Sequence, residues 1–138
     1  MATMIKIEAL AHAPIEKVWA AWTESQHITN WSFASDDWHA PHAENDLRVD
    51  GRFSTTMAAK DGSFSFDFGG VYTEVKPLES IKYTMDDGRV SDITFTQQGN
   101  ATYIVQNFEA EAGNPIELQQ GGWQAILNNF KKYAESIA

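Results

Sequence analysis

The residues best suited to chemistry lie close together, in Asp36-Asp37-Trp38-His39-Ala40-Pro41-His42. Two imidazoles and a neighbouring carboxylate could supply three ligands to a divalent cation. Such a site needs a strand or helix that fixes both rings, and Pro41 between them points to an irregular loop, so no metal is expected. His12 and His27 read as exposed or capping residues. Nucleophilic catalysis needs a thiolate, or a Ser or Thr beside a base, and the chain has no cysteine and no Gly-x-Ser-x-Gly elbow. Paired-carboxylate catalysis needs two acids facing one cavity. Asp36-Asp37 and Asp86-Asp87 are instead sequence neighbours with the character of solvated turns. Gly69-Gly70 and Gly121-Gly122 lack the spacing and the lysine of a phosphate loop. No catalytic residue and no cofactor is expected.

Binding is the chemistry that remains. In Gly51-Arg52-Phe53, strand alternation puts Arg52 and Phe53 on opposite faces. Either Arg52 faces inward, as a cation that could orient a ligand carboxylate, or Phe53 does and Arg52 is an outer salt-bridge partner. Tyr72 and Trp123 each offer aromatic surface with one polar atom, which suits a pocket wall or a core. Gly121-Gly122 costs about 2 kcal/mol relative to two alanines in a helix interior. Close approach to a sheet, a kink, room for a ligand or a ragged helix start would each account for it.

These residues need a frame, and the hydrophobic periods supply one. Ile5, Ile7 and Ala9 alternate with Lys6 and Glu8 over Thr3–Ala9, as in a half-buried strand. At Pro14 the period changes: Ile15, Val18, Trp19 and Trp22 share a helical face, and proline suits a helix start. A shorter helix is expected from Ser25, as cap, to Trp31. Ser32–Ala43 reads as a loop of the length that often serves function, here as a gate carrying Trp38 and His39.

Beyond it, strand-like runs are separated by the turn signals Asp50-Gly51, Lys60-Asp61-Gly62-Ser63, Asp86-Asp87-Gly88-Arg89 and Gly99-Asn100, which describe an antiparallel meander. In Phe64-Ser65-Phe66-Asp67-Phe68 the three phenylalanines point one way. Gly69-Gly70 suggests a bulge or sharp bend. After Asn114-Pro115 the helical period returns, with Leu118, Trp123, Ile126, Leu127, Phe130, Ala134 and Ile137 in one stripe from about Pro115 to Ser136. The expected class is α+β, with about seven strands in the order β-α-α-β6-α and a long C-terminal helix on the sheet.

Size and charge narrow the function further. A chain of 138 residues leaves little length for a second core, so one domain over 1–138 is expected. Ten basic against nineteen acidic residues give a net charge of −9, which argues against nucleic acid and against anionic membrane surfaces. No apolar stretch approaches the ~20 residues of a membrane span, and Met1-Ala2-Thr3-Met4-Ile5-Lys6 has no signal-peptide core, so a cytoplasmic protein is expected. The unusual feature is aromatic: 8 Phe, 5 Trp and 4 Tyr make 12 % of the chain, more than packing alone requires.

Five landmarks in this order, Ala13-Pro14-Ile15-Glu16-Lys17-Val18-Trp19, Trp31, Asp50-Gly51-Arg52-Phe53, Gly70-Val71-Tyr72 and Gly122-Trp123, resemble the START-like (SRPBCC, helix-grip) superfamily. The likeness is to the branch named for the C-terminal domain of the heat shock protein 90 ATPase activator. The resemblance implies a curved sheet gripping the long helix, with a cavity between them. The name-giving co-chaperone also uses a separate N-terminal domain, whereas this chain opens at the first strand, which weighs against chaperone activation. The superfamily spans carriers, receptors and cyclases, so the fold alone does not name the chemistry.

The leading expectation is a non-catalytic domain that binds an apolar or amphipathic small molecule. Trp31, Trp38, His39, Arg52, Phe66, Tyr72 and Trp123 are its candidate ligand contacts. The alternatives are a protein-interaction module or chaperone-linked regulator acting through a protein partner, and a cyclase- or lyase-like enzyme using a pocket His or carboxylate.

Overall fold

The computed structural model describes residues 3–138; Met1 and Ala2, which open the expected domain, lie outside the described residues. Strand β1 (Met4–Ala11) is followed by helices α1 (Ile15–Thr23) and α2 (Ser25–Ile28), then strands β2 (Trp38–Asn45), β3 (Arg52–Ala59), β4 (Ser65–Lys76), β5 (Ser80–Met85), β6 (Val90–Gln98) and β7 (Ala101–Glu109), and helix α3 (Ile116–Ser136). The strands form one antiparallel sheet in the order β1-β7-β6-β5-β4-β3-β2. It curls into a half-barrel around α3, which packs on β1, while α1 and α2 close one end against α3 and β2. This is the α+β helix-grip arrangement expected from the periods.

The core follows the alternation. Ile5 and Ile7 on β1, Ile104 and Phe108 on β7 and Ile93 and Phe95 on β6 all turn inward and are buried. From the helices come Val18, Leu127, Phe130 and Ala134. Trp22 and Trp31 meet Phe130 edge-on at centroid distances of 4.8 Å each, an arrangement favoured by the ring quadrupoles. The Trp31 indole N–H donates to the Ala21 carbonyl at 2.8 Å, so its one polar atom is satisfied in the core.

Several local expectations are corrected. The loop expected over Ser32–Ala43 ends early, because Trp38–Asn45 forms β2 against β3. This is an edge strand bonded on one side only, so it tolerates Pro41 and a register shift between His39 and His42. Ser25 opens α2 as its first residue, with Glu24 in the cap position and no side-chain cap bond, and the helix stops at Ile28, short of Trp31. Leu118 belongs to the apolar period of α3, yet it is 69 % exposed, because the first turns of the helix overhang the sheet.

Gly69 and Gly70 do not form the bulge; the shift in β4 comes later, between Tyr72 and Glu74. Gly70 is instead a close-approach residue. A Cβ there would lie 2.4 Å from the Thr84 carbonyl oxygen and 3.1 Å from the Phe53 ring. Gly51 is equally confined, with 2.0 Å between its would-be Cβ and the Asp46 carbonyl oxygen.

Candidate ligand-binding site

Strand register decides what faces α3. Tyr72 on β4 pairs with Tyr83 on β5, which pairs with Ser91 on β6, which pairs with Phe108 on β7. Partners directly across a sheet share a face, so these four side chains form one row on the concave side. The adjacent row runs Val75, Ile81, Ile93, Gln106. On β3, Phe53, Thr55 and Met57 alternate inward.

Between these strands and α3 lies a cavity of about 320 Å³. Phe53, Phe68, Tyr72 and Tyr83 form its floor, Trp123, Ile126 and Leu127 of α3 its roof, and Trp22, Ile28 and Trp31 its helical end. Trp123 lies flat on Phe108 and meets Phe68 edge-on. Phe53 packs on both tyrosines, with its ring centroid 5.1 Å from that of Tyr72 and 4.8 Å from that of Tyr83.

The polar groups are few and sit at defined places. The Tyr72 hydroxyl donates to Asn45 Oδ1, and Asn45 Nδ2 donates in turn to the Thr23 carbonyl. Burial pushes the Tyr72 phenol well above its ordinary range, and burial pushes Tyr83 up to about 12. Both are therefore neutral O–H groups at physiological pH. The Tyr83 hydroxyl accepts from Gln106 Nε2 at 3.4 Å, and the same nitrogen donates to Ser91 Oγ at 3.3 Å.

Arg89 also reaches the cavity wall. The tight turn at Gly88, whose φ is +93°, precedes it. Its Nε donates to Asp87 at 2.7 Å, Nη1 donates to the Glu109 carbonyl at 3.2 Å, and Nη2 stands 3.7 Å from Glu111. The cavity's cation is thus already flanked by two carboxylates.

Among the seven residues expected at the site, Trp31, Phe66, Tyr72 and Trp123 border the cavity. The other three do not. Arg52 points to the outer face, where its two guanidinium nitrogens donate to the two oxygens of Asp86 at 2.7 and 2.8 Å; the residue facing inward is Phe53. His39 is exposed on β2. His42, also exposed, bonds Glu44 at 3.1 Å, and no group of three or more His, Asp or Glu side chains comes together among the described residues. Trp38 packs instead with Phe64 and Phe66, at 6.0 and 5.9 Å between centroids. His27 is half-buried rather than exposed, its Nδ1 against the Tyr133 hydroxyl.

The polar residues that sequence reading passed over are Tyr83, Gln106 and Arg89. A signal existed for Gln106: in Ile104-Val105-Gln106-Asn107-Phe108 it holds an inward position between two apolar residues. Arg89 was obscured by its place in a turn motif.

The chain matches the family described as "Activator of Hsp90 ATPase homolog 1-like protein" over residues 12–135. It belongs to that family. Two solved proteins of similar sequence share the fold along nearly their whole length. The AHSA1-like protein from Aeromonas hydrophila is 44 % identical, with 96 % of this chain and 94 % of that one covered at a TM-score of 0.88. Chr148 from Cytophaga hutchinsonii is 56 % identical, with 96 % and 92 % covered at a TM-score of 0.82. CV1439 from Chromobacterium violaceum, at 24 % identity, covers 96 % and 98 % with a TM-score of 0.86 and shows the fold alone. No curated protein matches the chain. The family lies within the START-like superfamily that the five landmarks resemble.

Proposed function

We propose that this member of the family binds one small apolar or amphipathic molecule between α3 and the concave face of the sheet. The observation that carries the reading is the cavity itself: about 320 Å³ beneath a helix, walled by aromatic rings with a few polar atoms. Ligand sites are typically concave and apolar with few orienting groups, and this volume is at the small end of their range. A void in such a core costs dispersion contacts, and an occupant restores them. A cytoplasmic setting is compatible with this reading, since a chain without cysteine is allowed in a reducing compartment.

The test is titration of the labelled protein with naphthalene, followed by NMR. Shifts confined to Phe53, Tyr83, Trp123 and their neighbours support the reading. Unmoved signals at those residues overturn it. Native mass spectrometry of freshly expressed protein then identifies what travels with it.

A protein partner is the second reading, favoured by one observation besides the family description. Phe64 is 60 % and Phe66 43 % exposed, and together with Trp38 they form an aromatic patch at the β3–β4 end of the sheet. The enzyme alternative called for a pocket His or carboxylate: His39 lies outside the cavity, and the one carboxylate that borders it, Glu111, stands 3.7 Å from Arg89.

A further inference from the structure

Gln106 is the polar residue whose surroundings ask for something more. It is only 5 % exposed, yet it borders the cavity. Its Nε2 is committed to Tyr83 and Ser91. Its Oε1 accepts no hydrogen bond from the described residues. No sealed side-chain polar atom among them lacks a partner, so that oxygen is open to a water-sized molecule, and the space that Gln106 borders is the cavity. Beside it the Tyr83 hydroxyl accepts from Gln106 and has Ser91 as a second neighbour, so its own proton can turn either to Ser91 Oγ or to a molecule in the cavity. Buried polar groups left unpaired are costly, so the end of the cavity carries one vacant acceptor next to one available donor.

We infer that Gln106 and Tyr83 form a head-group subsite for an uncharged, ring-bearing ligand with a single hydroxyl, a phenol or ring alcohol. The inference rests on the binding reading above and names the chemistry of its ligand. A hydroxyl both donates and accepts, so one oxygen satisfies Gln106 Oε1 and Tyr83 O–H together. A carbonyl uses only the tyrosine. A carboxylate meets the Gln106 oxygen lone pairs and the nearby Glu111, while Arg89 is already held by Asp87 and Glu111. A net charge of −9 opposes anions further. Selection against acids is therefore as much a part of the site as attraction of alcohols.

The experiment compares naphthalene, 2-naphthol and 2-naphthoate at neutral pH by calorimetry, on the intact chain and on Gln106→Leu, Tyr83→Phe and Arg52→Ala. The inference expects 2-naphthol to bind about tenfold more tightly than naphthalene and at least about tenfold more tightly than 2-naphthoate, the worth of a satisfied buried hydrogen bond. In Gln106→Leu the naphthol-to-naphthalene ratio falls to about one or below, because an unpaired hydroxyl then enters an apolar site. Tyr83→Phe makes the same comparison should Gln106→Leu fail to fold. Arg52→Ala, on the outer face, keeps the full ratio. Naphthalene binding as tightly as 2-naphthol, or 2-naphthoate binding best, overturns the inference and leaves the binding reading standing. Absence of binding by all three overturns both.

Discussion

Trp123 of α3 lies flat on Phe108 of β7, their ring centroids 3.9 Å apart and their planes 9° from parallel. The stack pins the middle of the helix to the sheet at the rim of the cavity. Seven positions on, the fully buried Phe130 packs instead against Trp22 and Trp31 and does not line the cavity. The two residues should respond differently to truncation. Phe130→Ala is expected to cost about 3–5 kcal/mol, through lost transfer energy plus the hole left behind. Trp123→Ala should cost about 2 kcal/mol, since the ring is half-exposed and its loss enlarges a space already present. Urea melts of both variants check this, and equal losses would contradict a cavity at Trp123.

Two glycine pairs make opposite predictions. A Cβ at Gly121 or Gly122 meets nothing within 4 Å, so close approach to the sheet is not their purpose. Each Gly→Ala change should stabilise the helix by about 1 kcal/mol and raise Tm by several degrees. At Gly70 a Cβ collides with the backbone of β5, and Gly70→Ala should cost about 1–3 kcal/mol through forced displacement. Thermal melts of the three variants should show the two signs.

Alkaline pH should find out the buried tyrosines. Tyr83 titrates near 10.0 when unfolded and is pushed up to about 12 in the fold by burial. A folded value above the unfolded one means its contribution is whole below pH 10 and disappears as pH rises toward 12. That loss amounts to about 2–3 kcal/mol for Tyr83, and Tyr72, shifted in the same direction by burial, adds to it. Denaturant melts between pH 8 and 11 should show stability falling above pH 10. Tyr83→Phe should flatten that fall.

At the acidic end the Arg52–Asp86 pair gives the opposite sign. The Arg52 guanidinium bonds Asp86 and holds its carboxyl below the ordinary 3.8. A depressed folded value contributes above the unfolded pKa and is lost as pH falls through the folded one. Arg52→Gln should raise the Asp86 pKa toward 3.8 in a carbon-detected NMR titration, with little change in stability at neutral pH, because both groups are solvent-screened.

Much of this molecule is legible in its sequence, for reasons that differ by element. The period of Trp123, Ile126, Leu127 and Phe130 reports α3 because one face of that helix is buried along most of its length. Phe64, Phe66 and Phe68 do share a face, as alternation predicts, yet only Phe68 packs on the core, while Phe66 borders the cavity and is exposed; alternation fixes direction, not how far the sheet extends beyond its helix. β2 is hidden because an edge strand needs bonds on one side only, so Trp38-His39-Ala40-Pro41-His42 carries no apolar alternation. The choice between Arg52 and Phe53 hung on a single residue of register, which the pairing of Phe53 with Asn45 on one side and Gly70 on the other fixes in three dimensions. Gln106 and Tyr83 were missed because polar side chains on an inward face look like noise until the neighbouring row is known.

The register shift between His39 and His42, with Pro41 inside it, has a bearing on the protein in crowded solution. β2 is the last strand of an open sheet, and a regular last strand offers a row of free amides to any extended chain, including another copy of itself. Pro41 lacks one of those donors, the shift puts its neighbours out of step, and the exposed polar pair of His42 and Glu44 follows directly. The irregularity that disguises this strand in the sequence is also what keeps the sheet from growing by a further strand, so fibre formation is resisted at the edge where the fold would otherwise invite it.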